Sequence, residues 1–315
     1  MSKINQRKID HVNLVADLDE LDRHQAHFDN IRLTHRALPE LSLDEIDTQI
    51  TFMNKDLSFP LLISSMTGGS DEMLIKMNRN LAEAAEAEKV AFAVGSQRIL
   101  LKDNSSLDSF SLRDVAPTTL LFGNIGAVQL NYSIDIEHCK QIIKVLSADA
   151  LCLHLNPLQE AVQPEGDTNF TALSSKIAHL SKEIPCPIIV KEVGSGISVE
   201  DATLLKNTGI SYIDVAGTGG TSWSLVESKR SDDASLGELF KDWGIPTPYA
   251  LRALQKFNKD FAFISSGGVR NGLDMVKSNI LGASLCGIAK PFLKPAQESV
   301  EAVREKIRSL KKEYK

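Results

Sequence analysis

The chain has 315 residues, 43% of them hydrophobic, which is enough apolar content for the core of one barrel domain or the cores of two smaller domains. Its net charge of −6 argues against a general affinity for nucleic acid, so any site for an anion must be built locally. Because no run of about twenty apolar residues is present and the first residues are polar and mixed in charge, we expect a cytoplasmic protein without a signal peptide or a membrane span.

Residues 1–58 show little helix or strand periodicity, and we interpret them as an N-terminal extension that packs on the mouth of one domain formed by residues 59–315. From residue 60 onward, short apolar runs alternate with amphipathic stretches, which is the pattern of strands that alternate with helices. The predicted strands span residues 60–65, 90–94, 119–122, 150–155, 187–191, 212–216, 261–265 and 283–287. The predicted helices span residues 71–89, 136–146, 172–183, 198–207, 248–257, 271–278 and 296–310.

Continuous apolar strands indicate a parallel sheet that is covered on both faces. Eight strands that alternate with helices predict an α/β fold, a closed (β/α)8 TIM barrel. An open, doubly wound sheet is the alternative, but no G-x-G-x-x-G motif follows the first strand, which disfavours it. Residues 217–246 are rich in Gly, Ser, Thr and charges and are too long for an ordinary connection, so we interpret this long loop after strand six as a lid or active-site loop.

Polar or glycine residues follow the predicted strands, and in a barrel these strand ends surround one site. Gly267-Gly268 follow strand seven and Gly287-Ile288-Ala289 follow strand eight, the usual place of a phosphate site in barrels. Backbone amides and helix N-termini can bind a phosphate there, and tight turns at helix starts are the alternative interpretation. The other polar strand ends are Met66-Thr67-Gly68, Ser96-Gln97-Arg98, Asn124, His154, Lys191 and Ala216-Gly217-Thr218.

Two of these strand ends carry further chemistry. The strand that ends at His154 is followed by Asn156, Gln159 and Glu160, which predicts a catalytic loop; a solvated loop with a capping histidine is the alternative. Lys191 ends an otherwise apolar strand, and a charge there needs an anionic partner unless the side chain reaches solvent.

The ordered motifs of this chain resemble those of the type 2 isopentenyl diphosphate isomerases, which are FMN-dependent barrels of isoprenoid synthesis. The resemblance runs from residue 7 to about 293, and the combination of HLNPLQE with QPEGD is highly specific, whereas MTGG or GSQR alone is weak. The matching segments are Arg7–His11 (RKIDH), Met66–Gly69 (MTGG), Gly95–Arg98 (GSQR), His154–Glu160 (HLNPLQE), Gln163–Asp167 (QPEGD), Val190–Ser198 (VKEVGSGIS) and Asp214–Trp223 (DVAGTGGTSW). The final strand (CGIAKPFL) is the loosest match.

The resemblance implies that FMN binds at the barrel mouth. Lys191 would lie by the N1/O2 side of the flavin and stabilise its anionic reduced form. Met66, Thr67 and Gly68 would touch the isoalloxazine edge, Ser96 and Asn124 would contact the flavin, and the ribityl phosphate would be held by Thr221, Gly267, Gly268, Ala289 and Lys290.

The resemblance also implies a five-carbon diphosphate substrate, isopentenyl diphosphate, which is converted to dimethylallyl diphosphate with no net redox change. Glu160 would ligate Mg²⁺, His154 and Asn156 would orient Gln159 or the diphosphate, and NADPH would reduce the flavin. The chain would form a homo-oligomer, a tetramer or octamer. The substrate-binding residues would be Arg7, Lys8, Ser96, Gln97, Arg98 and Gln159.

Three other functions are weighed against this one. A 2-hydroxy acid oxidase would need a histidine base near strand seven, where the chain has Arg270 but no histidine. A nucleotide dehydrogenase would need a nucleophilic cysteine in residues 217–246, which contain none. A non-enzymatic barrel that only senses a phosphate ligand is the remaining alternative, and the flavin spectrum of the purified protein would discriminate between this function and the flavin enzyme.

Overall fold

The structure is a computed structural model that describes residues 3–23, 25–231 and 233–315. A short antiparallel hairpin, β1 (Ile50–Phe52) and β2 (Lys55–Leu57), precedes the main sheet. The strands of the main sheet are β3 (Leu61–Ile63), β4 (Ala91–Ala93), β5 (Leu121–Gly126), β6 (Ala150–His154), β7 (Ile188–Lys191), β8 (Tyr212–Asp214), β9 (Ala262–Ser265) and β10 (Ala283–Ile288).

Each strand from β3 to β10 pairs in parallel with the next along the chain, and β10 also pairs with β3. This closure confirms the predicted (β/α)8 barrel and rules out the open sheet. The helices are α1 (Lys3–Asp17), α2 (Glu72–Glu88), α3 (Ile136–Leu146), α4 (Pro157–Val162), α5 (Leu173–Glu183), α6 (Val199–Leu205), α7 (Trp223–Ser228), α8 (Ser235–Leu239), α9 (Thr247–Leu254), α10 (Gly272–Ile280), α11 (Leu293–Glu298) and α12 (Val300–Tyr314). Among the described residues, no helix combines the length and the hydropathy that a membrane span requires.

The barrel interior is a packed core, as expected for a barrel of eight strands. Inward-facing residues such as Phe122 and Ile264 form one apolar cluster, and Phe52 and Leu57 of the hairpin join it. Lys55 of the hairpin donates to the backbone oxygen of Thr118, just before β5, so the hairpin closes the amino end of the barrel. The opposite, carboxyl end is therefore the end that is free to hold a ligand.

The weak periodicity of residues 1–58 did not reveal the regular secondary structure that this extension contains. Helix α1 spans 15 residues, and its buried residues Val12, Val15 and Ala16 lie on one face. The predicted loop of residues 217–246 also contains two short helices, α7 and α8. The predicted helix 296–310 is interrupted at Ser299, whose extended backbone separates α11 from α12 and caps α12. These differences leave the barrel unchanged but alter what covers its mouth.

Candidate active site

A cavity of about 600 Å³ opens where the carboxyl ends of the strands meet. Its volume lies within the range of about 300–1,000 Å³ that is usual for cofactor and ligand sites. Helices α1 and α7 contribute to its walls through residues such as His11 and Trp223. Most of the sequence-predicted residues line it: Arg7, Lys8, Met66, Ser96, Arg98, Asn124, His154, Asn156, Gln159, Glu160, Lys191, Thr221, Gly267, Gly268, Ala289 and Lys290.

Gln97, which we expected to bind the substrate, lies outside this set. Its side chain is fully buried; Nε2 donates to the backbone oxygen of Ile142 at 3.2 Å, and Oε1 accepts the backbone N–H of Asn124 at 3.1 Å. The amide therefore ties the turn after β4 to β5, behind the residues that face the cavity. Gln97 supports Asn124 and is not placed to meet a substrate.

Thr67 and Gly68, which we expected at the flavin edge, are also buried behind the cavity wall. The carbonyl of Thr67 accepts the Gly95 N–H at 2.9 Å. Gly68 has φ +155°, and the Phe110 ring lies 2.5 Å from where a Cβ would be, so only glycine fits there. Of the predicted Met66–Gly68 edge, the structure brings only Met66 into the wall of the cavity.

The turns after β8 and β9 approach each other so closely that glycine is required. Gly267 and Gly268 have φ values of +89° and +78°, and a Cβ on Gly267 would overlap the carbonyl oxygen of Gly217. Helix α10, capped by Asn271, begins shortly afterwards. The result is an open stretch of backbone amides beside a helix N-terminus, which is a suitable site for a phosphate.

Cations stand at the same end of the cavity. Arg270 donates through Nη2 to the carbonyl of Gly219 at 2.7 Å, and Lys290 Nζ lies 3.5 Å from Asp19 Oδ1 and 3.9 Å from Asp22 Oδ2. Both side chains line the cavity. This glycine-rich end therefore offers two cations to a phosphate monoester, although both also lie near Asp22, which is 3.2 Å from Arg270 Nη2.

His154 lines the cavity and is the register partner of Lys191 on the neighbouring strand. Its Nδ1 is 2.8 Å from Asn124 Oδ1, while Asn124 Nδ2 donates to Ser65 Oγ at 2.8 Å. With the Asn124 oxygen facing His154, Nδ1 carries the hydrogen. Burial, together with the charges of Lys191 and other nearby cations, lowers the pKa of His154 to about 3. His154 is thus a neutral, fixed imidazole at physiological pH, unsuited to act as an acid.

Lys191 has an anionic partner, as we expected of a charge at the end of an apolar strand. Its Nζ lies 3.7 Å from Asp214 Oδ2 on the neighbouring strand and donates to the Glu192 carbonyl at 2.6 Å. Asp214 is 1% exposed and accepts from Ser266 Oγ at 2.6 Å. Burial raises the pKa of Asp214, and Lys191 opposes that rise. The pair places a fixed positive charge in the cavity wall, so Lys191 does not reach out to solvent.

The stretch after His154 is a short helix, α4, and not an open loop. Asn156 Nδ2 donates to Gln159 Oε1 at 3.1 Å and to Glu160 Oε1 at 3.0 Å. Gln159 Nε2 donates to Glu227 Oε1 of α7 at 2.7 Å, so the Gln159 amide is held from both sides. Glu160 is 8% exposed, and burial raises its pKa. Asn156 thus orients both neighbours that face the cavity.

A basic rim forms on the other side of the cavity, from α1 and from the turn after β4. Lys8 Nζ donates to the Ser96 carbonyl at 2.7 Å, and burial, with the nearby Arg7 charge, lowers the pKa of Lys8 to about 7. Arg98 Nη1 pairs with Asp167 Oδ2 at 2.8 Å, and Arg7 Nη1 lies 3.4 Å from Glu165 Oε1. Three cations so close together favour a multiply charged anion.

Comparison with known proteins identifies the family. The chain matches the model of the FMN-dependent dehydrogenase family over residues 2–115 and 153–315. It is 51% identical to an isopentenyl-diphosphate delta-isomerase of Hydrogenovibrio crunogenus over 317 residues, with coverage of 100% of this chain and 92% of the relative. It is 52% identical to that of Paracoccus zeaxanthinifaciens over 315 residues, covering 98% and 90%. The chain belongs to the FMN-dependent dehydrogenase family and to the isopentenyl-diphosphate delta-isomerases.

Solved structures support the same fold. The flavin-binding domain of baker's yeast flavocytochrome b2 superposes with a TM-score of 0.69 at 17% identity, covering 97% of this chain and 77% of that one. A mandelate oxidase variant gives a TM-score of 0.62 at 16% identity, with coverage of 98% and 87%. At such identities the likeness concerns the barrel alone.

The residues present fit the FMN that this FMN-dependent family uses. The glycine-rich end provides the phosphate cradle, and Lys191 stands in the cavity wall as a fixed cation. Ser64 Oγ, after β3, is buried in the cavity wall without a hydrogen-bond partner among the described residues, as expected of a group that serves a ligand. For Mg²⁺, the described residues contain no group of three or more His, Cys, Asp or Glu, so Glu160 would need substrate oxygens and water as further ligands.

Three residues of this isomerase site were quoted within motifs or segments but given no role from sequence. Asp214 pairs with Lys191, and Asp167 pairs with Arg98. Glu227 is fully buried in α7. Burial alone would raise its pKa, but His11 Nε2 at 3.2 Å, a hydrogen bond from Gln159 and the nearby Arg230 charge hold that pKa below its usual value. The available signal for Glu227 was a carboxylate set among Leu225, Val226 and Ser228 in a segment expected to cover the site.

Proposed function

We propose that this protein interconverts isopentenyl diphosphate and dimethylallyl diphosphate in isoprenoid synthesis, with FMN bound at the barrel mouth. One observation carries the proposal: the cavity has two anion sites on opposite sides. The glycine cradle follows β9, whereas the basic rim is formed by α1 and by the turn after β4, a strand that lies three places from β9 around the closed barrel. One site suits the single phosphate of the cofactor, and the other suits the diphosphate of the substrate.

The substrate diphosphate would bind to Arg7, Lys8 and Arg98. Arginine can hold phosphate oxygens through two parallel hydrogen bonds, and the buried Lys8 regains its charge fully beside an anion. Glu160 would hold Mg²⁺ between the protein and the diphosphate, because this hard cation accepts one carboxylate together with phosphate oxygens. The five-carbon chain would then extend toward the centre of the cavity, where Gln159 and Lys191 lie.

Bound FMN, once reduced, supplies the proton donor and acceptor that move the double bond. The protein's own groups bind, orient and exclude water. Gln159, held by Asn156 and Glu227, would sit beside the reacting carbons. Lys191 would stabilise negative charge on the cofactor. Helices α1 and α7 lie over part of the mouth, where the ring centroids of His11 and Trp223 are 5.2 Å apart in edge contact, and would limit the access of water to the reaction.

Further parts of the proposal concern the surroundings of the enzyme. NADPH would reduce the flavin once for many turnovers, and the protein would act in the cytoplasm. A homo-oligomer, a tetramer or octamer, is part of the proposal because of the family resemblance. The exposed leucines that precede the hairpin are apolar surface that a second copy would bury: Leu38 is 71% exposed, Leu41 56% and Leu43 63%. Light scattering of wild type and of Leu38→Asp would test this point, since loss of a contact should lower the mass.

The alternative 2-hydroxy acid oxidase is disfavoured by the chain after β9. That stretch reads Ser266-Gly267-Gly268-Val269-Arg270 and offers no histidine base. The experiment is an assay of isopentenyl diphosphate with FMN, NADPH and Mg²⁺, leaving out each in turn. We expect dimethylallyl diphosphate only when all three are present. Oxidation of a 2-hydroxy acid without isomerisation, or a purified protein unable to take up FMN, would contradict the proposal.

A further inference from the structure

The segment Gln163–Asp167 is among the most specific motifs of the sequence, yet Glu165 and Asp167 have entered the site so far only as ion-pair partners of Arg7 and Arg98. It follows α4 and folds back upon it. The Gly166 N–H donates to the Gln163 carbonyl at 3.0 Å, and the Asp167 N–H donates to Glu160 Oε2 at 2.7 Å. A Cβ on Gly166 would overlap the Glu160 carbonyl oxygen, so this close return requires glycine. The fold-back sets Asp167 directly against Glu160.

The Asp167 side chain points to a different partner from its backbone. Its Oδ2 accepts hydrogen bonds from Arg98 Nη1 and from Gln129 Nε2, both at 2.8 Å. Arg98 and Gln129 line the cavity, and Asp167 does not. Arg98 Nε is buried without a hydrogen-bond partner among the described residues, so the guanidinium keeps donor capacity that the protein does not use. Any effect of the Asp167 side chain on a ligand must therefore pass through Arg98 or Gln129.

We propose that Asp167 is a positioning residue that aims Arg98 at the substrate diphosphate and, through its backbone N–H, fixes Glu160. One residue thereby sets the spacing between a phosphate-binding cation and the carboxylate assigned to Mg²⁺. The physical reason is preorganisation: an arginine already held by a carboxylate loses less side-chain freedom when it binds an anion. The inference rests on the proposed function in one respect, that Arg98 binds the diphosphate.

The test is a double-mutant cycle on the FMN-loaded protein, with inorganic diphosphate and Mg²⁺ as the ligand measured by calorimetry. Asp167→Ala should weaken diphosphate binding by about tenfold, the scale of one lost charge-assisted contact. In an Arg98→Ala background, the same change should weaken it by less than about twofold, because Asp167 then has no cation to position. Equal effects in the two backgrounds, or no effect in either, would overturn the proposal.

Two further variants separate positioning from general damage. Asp114→Ala is the matched control, because it breaks an arginine–carboxylate pair of 2.6 Å with Arg79 on the surface, away from the cavity; binding should not change. Asp167→Asn keeps an acceptor of nearly the same shape and should weaken binding less than Asp167→Ala. If Asp167→Ala does not fold, the cycle is run with Asp167→Asn, and the expected result is again a larger loss of binding in the wild-type background than in the Arg98→Ala background; equal effects would overturn the proposal.

Steady-state kinetics add a readout that a purely structural role would not give. Asp167→Ala should raise KM for isopentenyl diphosphate about tenfold while kcat stays within about threefold, since Asp167 does not face the reacting carbons. A loss confined to kcat would count against the assignment. If the wild-type protein binds diphosphate but does not isomerise the substrate, the proposed function is refuted, whereas the double-mutant cycle can still be measured. Failure of the proposed function can therefore be distinguished from failure of the positioning role of Asp167.

Discussion

Replacement of Lys191 by methionine should destabilise the apoprotein strongly and in a pH-dependent manner. The change removes the cation that lies 3.7 Å from Asp214 and leaves a carboxylate that is 1% exposed. Ser266 and the Ala216 N–H still bond to that carboxylate, but no positive charge opposes its burial. Breaking a buried pair by removing one partner costs about 3–5 kcal/mol, and we expect a loss of this size in the free energy of unfolding at pH 7.

The pH dependence follows from the direction of the pKa shift. Burial raises the pKa of Asp214, and loss of Lys191 raises it further. A carboxyl group with a raised pKa in the folded state costs nothing while it is protonated in both states, and costs stability as the pH rises through the folded-state pKa. The deficit of Lys191→Met should therefore shrink as the pH falls from 7 toward the acid range.

Urea unfolding of the apoproteins at several pH values measures the effect. Lys191→Met/Asp214→Asn should recover most of the stability, because the double variant buries no unpaired charge. Lys206→Met is the matched control: its pair with Asp260 at 3.1 Å is 49% and 27% exposed, so its loss should cost about 0–1 kcal/mol. A cost for Lys191→Met below about 1 kcal/mol and constant with pH would refute the reasoning.

Four other substitutions, with Gly282→Ala as a control, test the proposed site. Gly267→Ala should weaken FMN binding to the apoprotein at least about tenfold, because the new Cβ must displace the cradle. The control is Gly282→Ala: Gly282 also has a positive φ, and the atoms nearest to the new Cβ would be those of Asn258, so FMN binding should be unchanged in a flavin titration. Arg7→Ala should raise KM for the diphosphate more than it lowers kcat, since this group meets a part of the substrate that does not react; an unchanged KM in steady-state kinetics would remove Arg7 from the site. Glu160→Gln should shift the Mg²⁺ dependence of activity, so that added Mg²⁺ restores part of the activity. Gln159→Ala should lower kcat at every Mg²⁺ concentration. Identical Mg²⁺ curves for the two variants would show that the metal ligand is wrongly assigned.

The barrel could be predicted from sequence because its strands are short and continuously apolar and the intervening helices are amphipathic. Helix α1 escaped prediction, although Val12, Val15 and Ala16 have helical spacing, because charged and polar residues occupy most other positions. Its apolar stripe is narrow, and the same three residues both join the main core and line the cavity. The pattern of a helix that packs on a ligand site is weaker than that of a core helix.

Within the site, sequence identified residues better than it identified their partners. Gln97 was grouped with Ser96 and Arg98, but its side chain points away from the cavity, and adjacent residues of one motif need not share a direction. The pairs Lys191–Asp214, Arg98–Asp167 and Gln159–Glu227 join segments far apart in the chain. Only the folded chain brings these segments together, and no local sequence pattern encodes such contacts.

The ratio of product formed to NADPH consumed tests the central claim most directly. The FMN-loaded enzyme is supplied with isopentenyl diphosphate, Mg²⁺ and a small amount of NADPH in D₂O, and the product is followed by NMR. A redox-neutral isomerisation predicts many molecules of dimethylallyl diphosphate per NADPH, with deuterium from the solvent in the product. Consumption of one NADPH for each molecule of substrate, or product without deuterium, would contradict the account.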